Sequence, residues 1–330
     1  MGKISLTVSC GRYDRTVPIW DGRVSIEGCD VNVIPLDPEE VFFRALRYAE
    51  FDVAELSFNS YLMATSRGAC PYVALPAFVS RYFRHSAIYV RTGSGIEKPE
   101  DLKGRKIGVP EYQMTAIVFI RGILSDEYGV KPSDIHWRTG GQEEPGRGER
   151  TPLDVPEGID IQPIPNDQSL CGMLERGELD GLITARHPSL FMRGEDCIQR
   201  LFPDYPTVEQ AYFRKTGIFP IMHVIGVRKT LLEREPWLAS SVYKAFLEAR
   251  DIAMWEIANR GGLRLSLPWI EANVARAREL LGGDYWPYGV EENRKTIETL
   301  VRYSHDQGLL PRLMTPEEIF AEQTLEISKV

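Results

Sequence analysis

The sequence predicts an α/β protein of two lobes, in which each lobe holds a mainly parallel sheet flanked by helices and two crossover hinges join the lobes. Short β-branched runs alternate with helix signals along the chain, which is the pattern of strand–helix–strand units. A chain of 330 residues can form two lobes with cores of their own. Its apolar content of 43% and charged content of 26% are typical of globular proteins.

Lobe 1 is predicted over residues 1–90 and 225–330. Asp37, which precedes Pro38, is an N-cap signal for the helix that begins there. The C-terminal part shows helical periodicity, with Val242, Phe246 and Ala249 at three- and four-residue spacing. The predicted strands are residues 4–9, 31–35, 53–56 and 73–76, and the predicted helices are residues 38–49, 238–260, 268–281 and 291–308.

Lobe 2 is predicted over residues 91–224, with crossovers near residues 87–91 and 221–227. Its predicted strands are residues 106–109, 135–138, 159–164 and 181–184. Its predicted helices are residues 168–176 and a helix that begins at about Thr115. Between two of the strands, residues 140–158 are rich in Gly, Pro, Glu and Arg and show no periodicity. A loop this long within a compact lobe is usually functional or mobile, and disorder is the alternative interpretation.

The charge and the cysteines limit the classes of partner and the compartment. A net charge of −8 argues against nucleic acid or an anionic membrane as a partner. An anionic ligand must then be bound by local arginines or backbone N–H groups. The five scattered cysteines favour reduced thiols in the cytoplasm. The first residues have no long apolar run, so we expect no signal peptide.

Ligands of open α/β sheets bind beyond the carboxyl ends of the strands, and these positions identify candidate residues. Each candidate also has a structural interpretation: serines can cap helices, arginines can form surface ion pairs, and His223 can be a core histidine. Arg84 and His85 lie close to the first crossover, where they could reach the rim of a ligand site. The candidates that follow strand ends or start helices are Arg12, Ser57, Asn59, Ser60, Met114, Thr115, Arg186, His187 and His223.

Several catalytic and cofactor motifs are missing from the sequence. There is no G-x-G-x-x-G after a strand, no phosphate-binding G-x-x-x-x-G-K-[ST] and no G-x-S-x-G. The sequence has no pair of histidines spaced to lie on one helix face, so no helix suggests a metal site. We therefore predict no cofactor. A metal held by histidines from separate loops (His85, His187 and His223) remains an open alternative.

The segment D-L-K-G-R-K-I-G-V at residues 101–109 resembles the entry to the second lobe of type II periplasmic-binding-protein folds. Over nearly its whole length the chain resembles the 4,5-dihydroxyphthalate decarboxylase family. The more specific matches are SFNSY, FRHSAIYVR, FPIMH and WPYG, at residues 57–61, 83–91, 219–223 and 286–289. Gln113-Met114-Thr115 occupies the position where binding proteins usually have a small Gly-Ser loop.

This resemblance implies a carboxy-lyase that converts 4,5-dihydroxyphthalate to 3,4-dihydroxybenzoate and CO2 in the cleft between the lobes, with a small aromatic dicarboxylate as its partner. A histidine can deliver the proton to the ring, and we assign His223 as the first candidate and His187 as the second. Glu55 would orient a histidine or take a phenolic proton; its alternative is a buried carboxylate paired with an arginine. Arginines bind carboxylates bidentately. The residues assigned to substrate recognition are Arg12, Ser57, Asn59, Ser60, Arg84, His85, Met114, Thr115 and Arg186.

Two other functions stay open at this point. One is a non-catalytic solute-binding protein or sensor for an aromatic or thiamine-precursor-like anion, which would share the fold. The other is a metal-assisted aromatic decarboxylase or hydrolase.

The segment DYWPYG at residues 284–289 would close the cleft, pack between the lobes or form a subunit contact. Exposed aromatic residues there would suit an interface, and we expect a homo-oligomer.

Overall fold

The structure is a computed structural model that describes residues 2–149, 153–154, 157–258 and 261–326. Its helices and strands divide into two units by their internal contacts. Unit 1 contains residues 1–81, 221–298 and 314–330, and unit 2 contains residues 82–220 and 299–313. The predicted loop 140–158 and the end of the predicted helix 238–260 lie partly outside the described residues.

The strands in chain order are β1 (Ile4–Ser9), β2 (Cys29–Val33), β3 (Val53–Ser57), β4 (Tyr72–Arg81), β5 (Ile88–Arg91), β6 (Lys106–Val109), β7 (His136–Thr139), β8 (Ile161–Pro163), β9 (Gly181–Ile183), β10 (Ile198–Arg200) and β11 (Ile221–Arg228). The helices are α1 (Val17–Trp20), α2 (Pro38–Tyr48), α3 (Phe58–Ser66), α4 (Thr115–Tyr128), α5 (Leu170–Glu175), α6 (Ser189–Met192), α7 (Tyr205–Thr216), α8 (Lys229–Leu232), α9 (Leu238–Ala258), α10 (Ile270–Leu281), α11 (Arg294–Asp306) and α12 (Pro316–Ile319).

The sheet of unit 1 has the strand order β2-β1-β3-β11-β4. Strands β2, β1 and β3 pair in parallel, and β11 pairs antiparallel with both β3 and β4. Four of these five described strands therefore run in one direction, and β11 alone is reversed. The core of this unit includes Leu6, Leu56, Phe58, Phe78 and Phe246, which are fully buried.

The sheet of unit 2 has the strand order β10-β5-β9-β6-β7-β8. Strands β9, β6, β7 and β8 pair in parallel, and β5 pairs antiparallel with β9 and β10. Among the described strands of this sheet β5 alone is reversed, so the predicted mainly parallel sheets are confirmed in both units. A cluster of buried side chains lies on this sheet, including Tyr89, Leu170, Leu174, Leu182 and Leu190.

The division into units differs from the lobe boundaries expected from the sequence. Residues 82–90 fall in unit 2 because β5 pairs with β9 and β10. Residues 221–224 fall in unit 1 because β11 pairs with β4 from its first residue, Ile221, and with β3 from His223. Residues 299–313 join unit 2, where Tyr303 packs edge-to-face on Phe119 of α4.

Strand β4 contains a bulge opposite His223. Ile225 of β11 pairs with Leu75 and His223 pairs with Ser80, so two steps along β11 correspond to five along β4. The predicted strand 73–76 ended at Pro76, whereas β4 continues to Arg81. Proline is tolerated at a bulge because no ladder hydrogen bond is required of it there.

In the part of the chain that the structure describes, every helix is too short or too polar to span a lipid bilayer.

Candidate functional site

The candidate site in unit 1 begins with side chains that share one face of the sheet. Side chains two residues apart on a strand point to the same face, so Glu55 and Ser57 of β3 lie together. His223 pairs with Ser57, and Ile225 pairs with Glu55. His223 is therefore the diagonal neighbour of Glu55 across the antiparallel pair, a spacing that long side chains can bridge.

Glu55 and His223 form a short hydrogen-bonded pair. His223 Nδ1 lies 2.6 Å from Glu55 Oε1, and the carboxylate is fully buried while 20% of the histidine side chain is exposed. Burial would raise the pKa of Glu55, but hydrogen bonds from His223, Gly11 and Tyr13 outweigh it and lower the pKa. A charged carboxylate on Nδ1 leaves Nε2 as the ring nitrogen that can exchange a proton with a ligand.

The loop after β1 completes the hydrogen bonds of Glu55. Because β1 and β3 are parallel neighbours, the end of β1 lies beside Glu55. The backbone N–H of Gly11 donates to Oε2 at 2.6 Å, and the hydroxyl of Tyr13 donates to Oε1 at 2.8 Å. Burial, followed by the charge of Glu55, raises the pKa of Tyr13, so the phenol keeps its proton and acts as a donor.

The segment DYWPYG packs within unit 1 against the bulge of β4. Trp286 Nε1 donates to the carbonyl of Phe78 at 2.9 Å, and Gly289 N donates to the carbonyl of Pro76 at 2.9 Å. The ring of Trp286 also lies 4.2 Å from the guanidinium of Arg15, and Arg15 Nε donates to the carbonyl of Val79 at 2.7 Å. This segment therefore supplies hydrogen-bond donors to backbone carbonyls of the bulge.

The remaining candidates of unit 1 surround the start of α3. Ser57 is the N-cap of this helix, and Ser60 Oγ donates to Ser57 Oγ at 3.2 Å. Asn59 is fully buried and its Nδ2 contacts Met63 Sδ at 3.5 Å. Arg12 is exposed on the loop after β1. Ser57 thus lies next to His223 on the sheet and is hydrogen-bonded to Ser60, whereas Asn59 contacts Met63 one turn later in the same helix.

His187 and Arg186 lie on the loop after β9 in unit 2. Both side chains are exposed. His187 Nδ1 lies 2.7 Å from the hydroxyl of Tyr89 on β5, which orients its ring. The backbone N–H of Arg186 donates to Thr184 Oγ1 at 3.3 Å. The structure therefore brings these two candidates together on one ordered loop.

Gln142 and Glu143 hold the loop that follows β9. Both residues belong to the segment 140–158, in which the sequence shows no periodicity. Gln142 Oε1 accepts from Thr184 Oγ1, and its Nε2 donates to the carbonyl of His187 at 3.3 Å. Glu143 accepts from the backbone N–H of Ser189 at 2.9 Å and from its hydroxyl at 2.5 Å. Burial raises the pKa of Glu143, but these hydrogen bonds outweigh it and lower the pKa.

Arg84 and His85 are buried in unit 2. Arg84 Nη1 lies 3.5 Å from the carbonyl of Ala185, and its guanidinium lies 4.7 Å from the ring of Tyr82; burial lowers its pKa to about 10. The ring of His85 lies 5.4 Å from Phe202 and 5.3 Å from Tyr212. This aromatic surrounding favours a packing role for His85 over ligand contact.

Met114 and Thr115 form the start of α4, as the sequence predicts. Met114 occupies the N-cap position and Thr115 is the first helical residue. A thioether is a weak hydrogen-bond acceptor, so Met114 contributes little as a cap. The 14-residue helix directs its N–H groups and its positive end past these two residues, an arrangement that favours anions.

The described residues contain no group of three or more His, Cys, Asp or Glu side chains that could hold a metal ion. Of the three histidines considered for a metal, His85 and His187 belong to unit 2 and His223 belongs to unit 1.

The sequence identified Glu55 and His223 but missed the residues that support them. Tyr13, Tyr89, Gln142 and Glu143 hold the candidate side chains, and the sequence assigned no role to any of these four residues. A signal for Tyr13 existed, since it follows Gly11 by two residues in the loop after β1. Residues 142 and 143 had no such signal, because their partners lie more than forty residues away in the sequence.

Comparisons with known proteins identify relatives along the whole chain. The sequence is 43% identical to a 4,5-dihydroxyphthalate decarboxylase of Comamonas testosteroni over 330 residues, which cover 100% of both chains. It is 44% identical to a 4,5-dihydroxyphthalate decarboxylase of Pseudomonas putida over 214 residues, which cover 65% of this chain and 83% of that one. A family model for the periplasmic substrate-binding protein of phosphonate ABC transporters matches residues 24–144.

Solved structures with a similar fold include periplasmic binding proteins. The aliphatic sulphonate binding protein SsuA from Escherichia coli has a TM-score of 0.55 at 14% identity, with 98% of this chain and 99% of that chain covered. A sulfonate-binding SsuA from Methylobacillus flagellatus has a TM-score of 0.56 at 13% identity, with 98% and 92% covered. The predicted periplasmic-binding-protein-like fold is thus confirmed.

Proposed function

The chain belongs to the 4,5-dihydroxyphthalate decarboxylase family, and on this basis we propose that it is a carboxy-lyase that converts 4,5-dihydroxyphthalate to 3,4-dihydroxybenzoate and CO2. Identity of 43% over the full length of both chains supports this reaction. Within the structure, the observation that carries the proposal is the buried Glu55 carboxylate on Nδ1 of the partly exposed His223.

The proposed reaction needs an acid beside the ring. The hydroxyl para to the leaving carboxylate releases electrons to the carbon that bears it, and Nε2–H of His223 gives that carbon a proton. The bond to the carboxylate then breaks, its electron pair returns to the ring, and CO2 leaves. Glu55 orients the imidazole of His223 and stabilises its protonated form before the proton is transferred. Proton transfer of this kind contributes about 10²–10⁴-fold to a rate.

We propose the other candidates for recognition of the substrate. Ser57 pairs with His223 across the sheet and is hydrogen-bonded to Ser60, and their hydroxyls can bind a carboxylate or phenol. Arg12 and Arg186 are exposed arginines that can bind a carboxylate. Met114 and Thr115 provide the N-terminus of α4 for an anion.

His187, oriented by Tyr89, is the second candidate for the proton donor. Arg84, His85 and Asn59 are buried and would act by shaping these positions.

The decisive experiment incubates the purified protein with 4,5-dihydroxyphthalate and with related phthalates and benzoates, and follows CO2 and the ring product. We expect 3,4-dihydroxybenzoate and an equal amount of CO2. His223→Ala should lower kcat by about 10²–10⁴-fold, and Glu55→Gln should lower it by a smaller factor. His136→Ala, which removes an exposed histidine, is the matched control. Turnover by His223→Ala at the normal rate would remove His223 from the chemistry.

A second candidate is a binding protein or sensor for an aromatic anion. The match of residues 24–144 to a substrate-binding family and the likeness to sulphonate-binding proteins favour it. Calorimetry with the same compounds separates the two functions. Tight binding without release of CO2 would support the binding protein.

The absence of a cofactor and the cytoplasmic compartment are also proposals. The ring serves as the electron sink of the proposed reaction, so we propose no cofactor, and turnover after dialysis against EDTA tests this. A cytoplasmic location is supported by five cysteines that are all unpaired in the structure. Fractionation of the source cells would locate the protein.

A further inference from the structure

The side chain of Tyr13 depends on the glycine two residues before it. A Cβ atom added at Gly11 would meet the ring and hydroxyl of Tyr13. Glycine therefore leaves the space through which the phenol reaches Glu55, while its own N–H donates to the other carboxylate oxygen. A larger residue at position 11 would separate these contacts.

The ring of Tyr13 is also held from its other side. The guanidinium of Arg15 lies 4.5 Å from the ring of Tyr13 and 4.2 Å from the ring of Trp286. Arg15 is fixed in turn by Asp14 at 2.9 Å and by the carbonyl of Val79 at 2.7 Å. A guanidinium over an aromatic face is attracted to it electrostatically, so this stacking restrains the Tyr13 ring. The stack joins the WPYG segment to the phenol.

We propose that Tyr13 is a positioning residue that acts on His223 through Glu55. The phenol and the imidazole share one acceptor, since Tyr13 Oη lies 2.8 Å and His223 Nδ1 lies 2.6 Å from Glu55 Oε1. By donating to this oxygen, the phenol limits how strongly the carboxylate holds the Nδ1–H of the charged ring. The ring then gives up its Nε2 proton more readily. This inference rests on the proposed role of His223.

The groups that face this arrangement in unit 1 come from several elements. Loop residues Cys10 and Tyr13 lie near the carboxylate, and Arg15 lies near the phenol of Tyr13. Burial, followed by the charge of Glu55, raises the pKa of Cys10 to about 12. From α2 the ring of Phe42 contacts the imidazole edge-to-face, with centroids 4.7 Å apart. At neutral pH the carboxylate is therefore the negative charge next to His223, and Tyr13 is a neutral donor on it.

Tyr13→Phe tests the proposal because it removes the hydroxyl and keeps the ring on Arg15. The chain has five histidines, so their Cε1–H signals can be followed by NMR, and the His223 signal can be assigned with His223→Gln. We expect the midpoint of the His223 titration to rise by about half to one pH unit. This is a fraction of the roughly one to two units that correspond to a hydrogen bond to a charged group, because the phenol acts on the ring only through the carboxylate. We expect kcat to fall about three- to tenfold, KM to change less than twofold, and the pH–rate profile to move in the same direction.

Tyr72→Phe is the matched control, since the Tyr72 hydroxyl is also buried and donates to a backbone carbonyl, that of Phe51, at 2.7 Å. It should lower stability and leave the His223 titration in place. Gly11→Ala should reproduce the titration shift of Tyr13→Phe by displacing the phenol. An unchanged His223 titration in folded Tyr13→Phe would overturn the proposal.

These readouts separate this inference from the proposed function. The NMR titration needs no substrate, so a shift would support the positioning role even if the unmodified protein released no CO2. Decarboxylation by the unmodified protein, together with an unshifted titration in Tyr13→Phe, would support the proposed function and reject the role of Tyr13.

Discussion

His85 illustrates how a residue's surroundings decide its chemistry. Its side chain is 2% exposed, with the rings of Phe202 and Tyr212 on either side. Burial lowers the pKa of His85 to about 4, so the ring is neutral at physiological pH. In an unfolded chain a histidine titrates near pH 6.5. Between these two values the unfolded chain binds a proton that the folded protein does not.

We therefore predict that His85 makes the protein sensitive to mild acid. Stability rises with pH wherever the unfolded state binds more protons. The contribution of His85 to the free energy of unfolding is fully present above about pH 6.5 and is lost as the pH falls towards 4. It amounts to about 3 kcal/mol over that window. Urea unfolding of the protein and of His85→Leu between pH 7.5 and 4 should show a shallower loss of stability in the variant.

His305→Leu is the control for this experiment, because His305 is exposed on α11. It should follow the pH dependence of the unmodified protein. Equal slopes for His85→Leu and the unmodified protein would mean that the ring of His85 does not set the acid sensitivity.

Individual residues of the candidate site were predictable where strand geometry alone determined their position. Glu55 and His223 could be identified because each stands near the end of a strand in a chain with clear strand signals. Their contact depends on the register of β3 against β11, which joins positions 168 residues apart. Tyr13 could not be assigned to Glu55 from the sequence, because the turn that directs its ring depends on Gly11 having no side chain.

At the scale of elements, Gly122 allows α4 to pack closely in unit 2. A Cβ atom at this position would meet the ring of Tyr303. Tyr303 is fixed by the edge-to-face contact with Phe119 and by its hydroxyl, which donates to Asp126 at 2.9 Å. Both of these partners belong to α4. The ring therefore has little freedom to move away from position 122.

We predict that Gly122→Ala destabilises the protein even though alanine favours helices. The helix gains about 1 kcal/mol from the replacement, while overpacking costs about 1–3 kcal/mol. The free energy of unfolding should fall by up to about 2 kcal/mol, measured by urea denaturation. In the background Tyr303→Leu, the same substitution should be neutral or stabilising. A stabilising Gly122→Ala in the unmodified protein would contradict this packing.

Elements with strong local signals were predicted well, and elements that depend on tertiary pairing were not. Strands β1 and β6 begin and end where the sequence indicated, and α2 begins at Pro38 after its Asp37 cap. Strand β4 was predicted too short because its bulge accommodates Pro76. Helix α7 was missed; it has Pro206 in its first turn and Gly217 as its C-cap, and an uneven apolar pattern between them.

At the scale of the whole molecule, one stretch of unit 1 exposes an unusual amount of apolar surface. Leu265 and Leu267 are exposed by 42% and 43%. Leu263 is exposed by 66%, and Trp255 and Trp269 by 64% and 74%. Together these five side chains expose on the order of 500 Å². A stable interface needs roughly 800 Å² from each partner, so this surface could form a large part of one.

We predict that a second copy of the chain covers this surface in a homo-oligomer. Light scattering coupled to size-exclusion chromatography should give a particle of at least two chains. The double variant Leu263→Ser/Trp269→Ser should shift the particle towards one chain. Met192→Ser replaces an equally exposed apolar residue of unit 2 (68% exposed) and should leave the mass unchanged. A single-chain mass for the unmodified protein would contradict the prediction.

The reversed strand β11 has a consequence for the order in which the protein is made. It lies between β3 and β4, which leave the ribosome well over a hundred residues earlier. Until residue 228 has emerged, the sheet of unit 1 lacks an inner strand and β3 and β4 expose unpaired edges, a state that is prone to aggregation. Residues 82–220 of unit 2 form one uninterrupted stretch, so most of that unit can begin to fold during this delay. The Glu55–His223 pair can therefore form only after residues 82–220 of unit 2 have been made.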